Sequence, residues 1–369
     1  MDVHNLSLRV PEFSSVYMTP GMQPNRIIRR SLSASKFAIT PADYFEKLKI
    51  PDEVIESIFK HFSCVDLVNA MRTCHRFYKI GTKPMFWKQV NLSNATIGEM
   101  ALHRLLERKT EVVCLYAATL FRDDALYPPP NPPLFTNLTY LDISFAVFDW
   151  PKVLSALLER TRFLQVLNIA QFAAIDEAVC LGIAKNEGLR FLNVEMCERF
   201  PLAGVNKIFA SCKKLVELNI GWAKFHAGAL EAACQKLPSS LKRLNVAGME
   251  QSRLTDASNF PVIAHIVNRC PELIELDVSD CSEITNVALK TLSKLKKLKK
   301  LSVCRCYGIE PVSFLSLERR LEAINIHGCV TDEGVEYLRQ RLHPTQVNTT
   351  PFSMIARPTC SSFQREEAS

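Results

Sequence analysis

A hydrophobic pattern that recurs eight times between residues 138 and 326 constrains the fold more than any other feature. Each copy has Leu-x-x-Leu-x-(Ile or Val), except that isoleucine replaces the second leucine in the last copy. The copies begin at Leu138, Leu164, Leu189, Leu215, Leu241, Leu273, Leu298 and Leu321, so successive starts are 23 to 32 residues apart. Weaker units at Trp87 and Val112 precede them. About ten units therefore extend from near residue 87 to near residue 342.

A repeat of this length predicts a leucine-rich-repeat solenoid, an α/β horseshoe in which each unit adds one short strand to a parallel sheet. Counting from the first leucine, we expect positions 1, 4, 6 and 9 in the core and positions 3, 5 and 7 on the concave face. The segments between strands have helical spacing, as in the run Ile284, Val287, Leu292 and Leu295. We interpret the lysines of that stretch (Lys290, Lys294, Lys296 and Lys297) as a solvated face.

The thirteen cysteines fit the repeat better than they fit a metal site. No two of them stand three residues apart, so the paired ligands of a typical zinc site are missing. Position 9 is occupied by Cys197, Cys281, Cys306 and Cys329, where a thiol acts as a small buried hydrophobe. Cys304 is at position 7, and we expect it to face solvent or a partner. No histidine is arranged to activate Cys304 or Cys360 as a nucleophile, so we expect no catalytic residue, metal or cofactor.

Composition limits the compartment and the partners. The amino terminus has no apolar run typical of a signal peptide, and no segment approaches the roughly 18 apolar residues of a membrane span. We therefore expect a protein of the nucleus and cytoplasm with reduced thiols and no membrane contact. The 45 basic and 38 acidic residues give a formal charge of +7, which suits an acidic partner but does not require nucleic acid.

Residues 47 to 92 predict three short helices. Pro51, Asp52 and Glu53 are typical of a first helical turn, and Asp66 can begin a second helix. The first helix has an apolar face formed by Ile55, Ile58, Phe59 and Phe62. A unit this small exposes aliphatic side chains, and such a surface implies a partner.

This segment resembles the F-box family. The resemblance is carried by Ile50-Pro51-Asp52-Glu53-Val54, Ile58-Phe59, Asp66-Leu67, Cys74-His75-Arg76-Phe77 and Phe86-Trp87. Ile50, Phe77 and Gly81 depart from the commonest family residues but keep the apolar character. The resemblance implies a three-helix F-box that binds a Skp adaptor, and through it a cullin and a ring protein. The adaptor-binding residues it implies are Ile50, Pro51, Glu53, Val54, Ile58, Phe59, Leu67 and Phe77.

Four later stretches carry a second resemblance. LNIGWAKF around Trp222, LDVSDCS around Asp280, LSVCRCYGI around Arg305, and FSMIARPT at 352–359 resemble the F-box proteins with leucine-rich repeats that recruit inhibitors of cyclin-dependent kinases. The resemblance implies a Cks-type accessory protein bound at Trp222, Asp280, Arg305 and Tyr307, which completes a site for a phosphorylated inhibitor. It also implies a tail along the concave face. From the residues alone, three of these positions share repeat position 8, which predicts one edge of the sheet.

These features predict a flexible arm at 1–44, an F-box at 45–90, repeats at 87–342 and a tail at 343–369. The arm contains Arg30-Ser31-Leu32, which fits a loose cyclin-docking pattern, and the proline-directed sites Thr19-Pro20 and Thr40-Pro41. The proline-rich segment 125–135 is interpreted as a rigid loop between repeats.

The predicted function is substrate recognition within a ubiquitin ligase of the SCF type, by proximity and without an active site. Two alternatives remain: an F-box receptor for a different substrate, and a scaffold outside any ligase whose helices only cap the solenoid.

Overall fold

The computed structural model of the chain describes residues 48–122, 133–148, 152–173, 175–226, 228–248, 262–281, 284–350 and 353–357. The docking and phosphorylation patterns predicted for the first 44 residues, most of the proline-rich segment, and Phe352, Pro358 and Thr359 of the tail motif lie outside the described residues. The chain divides into two compact units, one up to Phe86 and one from Trp87 onward. They are called the helical unit and the repeat unit below.

The helical unit contains α1 (Asp52–Phe59), α2 (Cys64–Met71), α3 (His75–Gly81) and a 3-10 turn at Pro84–Phe86. Helix α1 begins directly after Pro51, as the sequence predicts. Helix α2 begins at Cys64, before the predicted Asp66, because Ser63 caps it: the Ser63 hydroxyl accepts a hydrogen bond from the Asp66 N–H at 3.2 Å. The Asp66 carboxylate accepts from the Ser63 N–H in return, which completes a capping box.

Aromatic rings form the core of the helical unit. The ring of Phe59 lies 5.1 Å from that of Phe62, 5.3 Å from that of Phe77 and 6.0 Å from that of Phe86, measured between centroids. Ile55 and Leu67 are buried in the same unit. Burial of these side chains stabilises helices that are too short to persist alone in water.

The repeat unit is built on an eleven-stranded parallel sheet in the order β1-β3-β5-β7-β8-β9-β10-β11-β12-β13-β14, with β2, β4 and β6 forming a second sheet. The fold is therefore an α/β leucine-rich-repeat solenoid that follows a helical unit. The strands are β1 (Gln89–Asn91), β2 (Thr96–Gly98), β3 (Val112–Cys114), β4 (Thr119–Phe121), β5 (Tyr140–Asp142), β6 (Val147–Phe148), β7 (Val166–Asn168), β8 (Phe191–Asn193), β9 (Glu217–Asn219), β10 (Arg243–Asn245), β11 (Glu275–Asp277), β12 (Lys300–Ser302), β13 (Ala323–Asn325) and β14 (Gln346–Val347).

Helices connect these strands. They are α4 (Glu99–Leu106), α5 (Val153–Glu159), α6 (Glu177–Ala184), α7 (Leu202–Ser211), α8 (Ala229–Lys236), α9 (Val262–Arg269), α10 (Asn286–Leu292) and α11 (Asp332–Leu342), with a 3-10 helix at Pro311–Arg320. Within the apolar run noted above, Val287 is 74% exposed, while α10 buries Leu289 and Leu292. Among the described residues no helix is long and apolar enough to span a bilayer.

The predicted repeat register is confirmed at positions 1, 4 and 6, whose side chains are buried in all eight copies. At position 9 each thiol donates to a backbone carbonyl of the preceding repeat, as Cys197 does to Ile169 at 3.0 Å and Cys306 to Val278 at 3.3 Å. Burial raises the pKa of Cys197 to about 12, so this thiol stays protonated. No disulfide bond links any of the twelve cysteines in the described ranges.

The prediction for Cys304 is wrong. Its side chain is only 8% exposed. The sulfur lies 3.6 Å from the Ser302 hydroxyl, and the Cys304 N–H donates to the Ser279 hydroxyl at 3.0 Å. Because neighbouring repeats stack at one strand spacing, the small side chains at position 7 are screened by adjacent rows even though they lie on the concave side.

Candidate protein-binding surfaces

Position 8 forms a continuous ridge where the strands of the repeat unit end. At this position the backbone has φ between 51° and 71° in ten successive units, which are Asn94, Ala117, Phe145, Gln171, Met196, Trp222, Gly248, Asp280, Arg305 and Gly328. The N–H of each position-8 residue from Asn94 to Arg305 donates to a position-7 carbonyl of the next unit, as Trp222 does to Ala247 at 2.7 Å. Trp222, Asp280 and Arg305 therefore share one turn geometry and one edge.

In seven of the ten units an asparagine or aspartate at position 5 stabilises this turn, whereas the unit of Arg305 has Ser302 there. The sequence analysis did not single out this position. The side-chain oxygen of Asn219 accepts from the Gly221 N–H at 2.9 Å, and those of Asn245 and Asp277 accept from the residues two places on. These local bonds hold the backbone in a conformation that costs a non-glycine residue about 1 kcal/mol or more. The recurring Leu-Asn and Leu-Asp pairs were the signal that could have revealed it.

The indole of Trp222 lies over Gly248, the next residue along the ridge. A Cβ atom added at Gly248 would come within 2.1 Å of the indole ring. Gly248 has a φ of 67°, so the position favours glycine for its backbone as well as for its lack of a side chain. Trp222 is consequently half-buried, and its neighbour restricts the position of the ring.

The charged part of the ridge is a bidentate ion pair. The Nε and Nη2 atoms of Arg305 donate to the two carboxylate oxygens of Asp280. Beside them Tyr307 is 71% exposed. The sequence predicts Arg305 and Asp280 as neighbours on one edge, but the structure adds that Asp280 orients the guanidinium, so the two residues act as one group.

The described residues after β14 contact the concave side of the sheet. Arg357 donates to both carboxylate oxygens of Glu195, at 2.9 Å for its Nε atom. Ser353 bonds to Asp277, whose pKa is raised by burial. Ile355 and Ala356 are buried. The FSMIARPT stretch thus includes residues that bridge to β11 and to Glu195, just after β8, both far from it in sequence.

The helical unit presents its own apolar surface. Val54 is 46% exposed and Ile58 43% exposed, one turn apart on α1, and the neighbouring Pro51 and Glu53 are exposed as well. Ile50 and Phe77 are half-buried. The exposed group Pro51, Glu53, Val54 and Ile58 is called the α1 strip below.

Two of the predicted adaptor-binding residues are buried within the helical unit, although Phe59 was expected to be exposed. Phe59 is 3% exposed and Leu67 is 2% exposed, because both side chains belong to the aromatic core of the helical unit. Arg76, which was noted only as part of a motif, has a clear structural role. It donates to the Ile50 carbonyl and the Asp52 carboxylate, both at 2.6 Å, and so ties α3 to the start of α1.

These observations define the class of protein: a three-helix unit with an exposed apolar helix face, followed by a leucine-rich-repeat solenoid. Comparison with known families agrees. Residues 48–93 match the F-box-like family, and residues 130–368 match the SKP2 LRR domain family. The second match covers more than half of the chain. The chain therefore belongs to the SKP2 family of F-box proteins with leucine-rich repeats.

Solved structures show more distant likeness. The yeast Rad7 and Elc1 complex is 12% identical, with coverage of 82% of this chain and 94% of that chain and a TM-score of 0.42. An internalin of Listeria monocytogenes is 13% identical, covering 72% and 82%, with a TM-score of 0.43. The FLRT2 leucine-rich-repeat complex with Latrophilin 3 and Unc5D is 17% identical, covering 65% and 67%, with a TM-score of 0.34. At these scores we infer nothing from them.

An F-box followed by leucine-rich repeats is the architecture of a substrate-recognition subunit of an SCF-type ubiquitin ligase. In that arrangement the F-box binds a Skp-type adaptor, and the subunit itself is not the catalyst.

Proposed function

We propose that this protein recruits phosphorylated inhibitors of cyclin-dependent kinases for ubiquitination and so promotes progression through the cell cycle. A Cks-type accessory protein binds on the ridge at Trp222, Asp280, Arg305 and Tyr307 and completes the substrate site. A conjugating enzyme held by the cullin and ring protein transfers the ubiquitin. The contribution of this chain is proximity, which makes attack by a substrate lysine nearly intramolecular.

The observation that carries this proposal is a fixed aromatic face and a fixed charged pair on one ridge. Tryptophan, tyrosine and arginine dominate the binding energy of protein interfaces when they lie on rigid, well-packed surfaces. Gly248 supports the indole of Trp222, and Asp280 orients Arg305 through two of its nitrogens. Because arginine has five N–H donors, the guanidinium retains donors for a carboxylate or phosphate of a partner.

For the adaptor we propose the α1 strip as the contact surface. Val54 and Ile58 supply apolar anchors, while Pro51 and Glu53 extend the contact at the start of the helix. Phe59 and Leu67 act from inside, since their burial fixes the helix that carries the anchors. We also propose that the protein works in the nucleus and cytoplasm and that Arg30-Ser31-Leu32 binds a cyclin.

The test uses two ridge variants in a reconstituted ligase. Trp222→Ala removes the aromatic anchor, and Gly248→Ala leaves the tryptophan in place but displaces its ring. We expect each to weaken binding of a Cks-type protein by about 30-fold or more, equal to about 2 kcal/mol. Ubiquitination of a phosphorylated inhibitor should fall in parallel, and phosphatase treatment of the inhibitor should have the same effect.

Gly228→Ala is the matched control, because it also adds a Cβ to a glycine with positive φ, at 72°, but that Cβ would meet nothing within 4 Å and lies outside the ridge. Its binding of the Cks-type protein should change much less. Adaptor binding should survive in all three variants, since the α1 strip belongs to the other unit. Full ubiquitination by the Trp222→Ala variant would contradict the proposal and leave an F-box receptor for a different substrate.

A further inference from the structure

The sheet has a second edge, where the strands begin, and an open groove of about 810 Å³ follows it. Its lining includes three cationic side chains, Arg162, Arg190 and Lys214, supplied by the segments that lead into β7, β8 and β9. Phe163, which is 52% exposed, adds an aromatic ring, and Asn137 and Gln165 add amide groups. Neither the ridge nor the α1 strip uses any of these residues.

The three cations have no carboxylate partner among the described residues. The Nη1 atom of Arg162 donates to the backbone carbonyls of Glu159 and Thr161 at 2.7 Å and 2.6 Å. The guanidinium of Arg190 lies 5.4 Å from the ring centroid of Phe191. Both side chains are thus oriented by uncharged groups, and their positive charge remains unneutralised.

The surrounding carboxylates do not cancel this charge. Glu111 lines the groove but is paired with Lys88 at 3.1 Å. Glu187 is exposed in the turn before β8, outside the lining. Lys242, which is exposed one strand further along, continues the cationic row.

Elsewhere in the repeat unit, seven lysines pair with glutamates of a neighbouring repeat, whereas others, such as Lys290 and Lys294, have no such pair among the described residues. The pairs are Lys88 with Glu111, Lys185 with Glu159, Lys207 with Glu177, Lys224 with Glu198, Lys297 with Glu272, Lys299 with Glu322, and Lys300 with Glu275. The groove differs because it brings together, on three consecutive strands, three cations that have no carboxylate partner in the described part of the chain. Unneutralised charge concentrated in a concave surface attracts a ligand of opposite sign.

We propose that this groove binds an extended acidic segment of a partner protein. Adjacent strands are about 4.8 Å apart, so the lining from β3 to β9 spans about 19 Å, enough for about six residues of extended chain. Alternate side chains of such a segment face the cations, the amides of Asn137 and Gln165 bond to its backbone, and Phe163 packs against one apolar side chain. The inference goes beyond the proposed function and does not depend on the ridge.

A single-stranded nucleic acid fits this surface less well than a peptide. Grooves that bind single strands combine cations with several aromatic side chains on which successive bases stack. Here Phe163 is the one exposed aromatic in the described lining of the groove. The amide groups and the length of the groove suit the regular spacing of a peptide backbone instead.

The experiment measures fluorescence anisotropy of a labelled peptide of glutamates with one central phenylalanine, titrated with the full-length chain. A peptide with glutamine at every glutamate position and a single-stranded DNA are the comparison ligands. The test variant is Arg190→Glu with Lys214→Glu, and the milder Arg190→Gln with Lys214→Gln guards against misfolding. The matched control is Lys290→Glu with Lys294→Glu, which makes the same charge change on exposed lysines of and beside α10.

We expect the acidic peptide to bind, the glutamine peptide not to bind, and the affinity to fall as salt is raised. Both groove variants should weaken binding, by about tenfold or more for the charge reversal. The control variant should bind within about twofold of the unaltered protein. Equal loss of peptide binding in the groove and control variants would overturn the proposal in favour of general charge attraction. Tighter binding of the DNA than of the acidic peptide, or no binding of the acidic peptide, would also overturn it.

Discussion

The helical unit and the repeat unit differ in how much of their apolar side-chain surface is exposed. Residues 48–86 make up 39 of the 278 described residues but carry seven of the twenty exposed large hydrophobic side chains. The repeat unit buries the leucines, isoleucines and valines of positions 1, 4 and 6 in every copy and exposes turns instead. The difference teaches that one unit presents helix side chains that remain exposed after folding, while the other presents side chains on a backbone turn that its repeats impose.

The largest expected effect is loss of folding of the repeat unit after a charge is placed in its core. Cys306→Asp places a charge at a fully buried position whose thiol now donates to the Val278 carbonyl. An unpaired buried carboxylate costs several kcal/mol, and a carboxylate cannot replace the thiol as donor unless it is protonated. We expect soluble expression and cooperative thermal unfolding of the repeat unit to be lost.

The control for that variant is Cys306→Ala, which removes the sulfur without adding charge. It should fold with a lower melting temperature. If Cys306→Asp instead melts like the unaltered protein, position 9 does not lie in the core and the repeat register is incorrect.

A smaller effect is expected from charging the α1 strip, which should impair adaptor binding without changing the stability of the repeat unit. Val54→Asp with Ile58→Asp charges the α1 strip, where both side chains are exposed, so the fold should hold. Each lost anchor should cost about 2 kcal/mol of adaptor affinity, so co-purification of a Skp-type adaptor should fail. Thermal unfolding of the repeat unit should not change.

Phe59→Ala is the informative comparison for the strip. It deletes a ring that contacts three other aromatic rings and should destabilise the helical unit by about 3 kcal/mol or more. Circular dichroism of the purified variant chains then distinguishes lost contact from lost fold. Adaptor binding that survives charging of both Val54 and Ile58 would contradict the proposed surface.

These two units also differ in how far the sequence predicts them. The spacing of the leucines, together with strand alternation, predicts that position 6 faces the core and that position 8 lies at the end of each strand. The shared edge of Trp222 and Arg305 could therefore be predicted from the sequence. The burial of Cys304 could not, since it depends on the stacking of neighbouring rows. In the helical unit, Ile58 and Phe59 are both apolar and adjacent, and only packing decides that Phe59 turns inward.

The pairing of charges was least predictable. Arg305 and Asp280 are 25 residues apart, as are Lys300 and Glu275, and the repeat length alone brings both pairs together. Nothing comparable in the sequence indicates that Arg190 and Lys214 lack such partners. That difference emerges only when the whole edge is compared strand by strand.

A third prediction concerns how the stability of the repeat unit depends on pH. His103 is 2% exposed, and burial together with the nearby Arg160 lowers its pKa to about 4. The Arg160 Nη1 atom lies 2.6 Å from His103 Nδ1, and Arg160 also bonds to Glu107, while Glu99 lies 3.7 Å from His103 Nε2. The folded state therefore keeps His103 neutral, with Nδ1 as the acceptor.

The unfolded chain binds a proton on this histidine near pH 6.5, and the folded chain does not until about pH 4. The stabilising contribution is therefore fully present above pH 6.5 and is lost as the pH falls through 4, by at most about 3 kcal/mol. His103→Gln, which cannot take up a proton, should flatten this part of the profile in denaturant titrations. An identical slope with and without His103 would contradict the assignment.

The smallest expected effect concerns the other cysteine of the Cys304-Arg305-Cys306 triplet. Cys304→Ser replaces a buried thiol by a hydroxyl at a site that already contains polar partners, since the Ser302 hydroxyl lies 3.6 Å away and the backbone N–H bonds to Ser279. A hydroxyl there can donate and accept, so the change in unfolding free energy should stay within about 0.5 kcal/mol. Cys306→Ser makes the same atomic change in an apolar ladder and should cost more, about 1 kcal/mol or above. Denaturant midpoints of the two variants measure this difference in stability directly. The contacts of the two sulfur atoms indicate that the two sides of the sheet differ in polarity, and equal midpoints would contradict that difference.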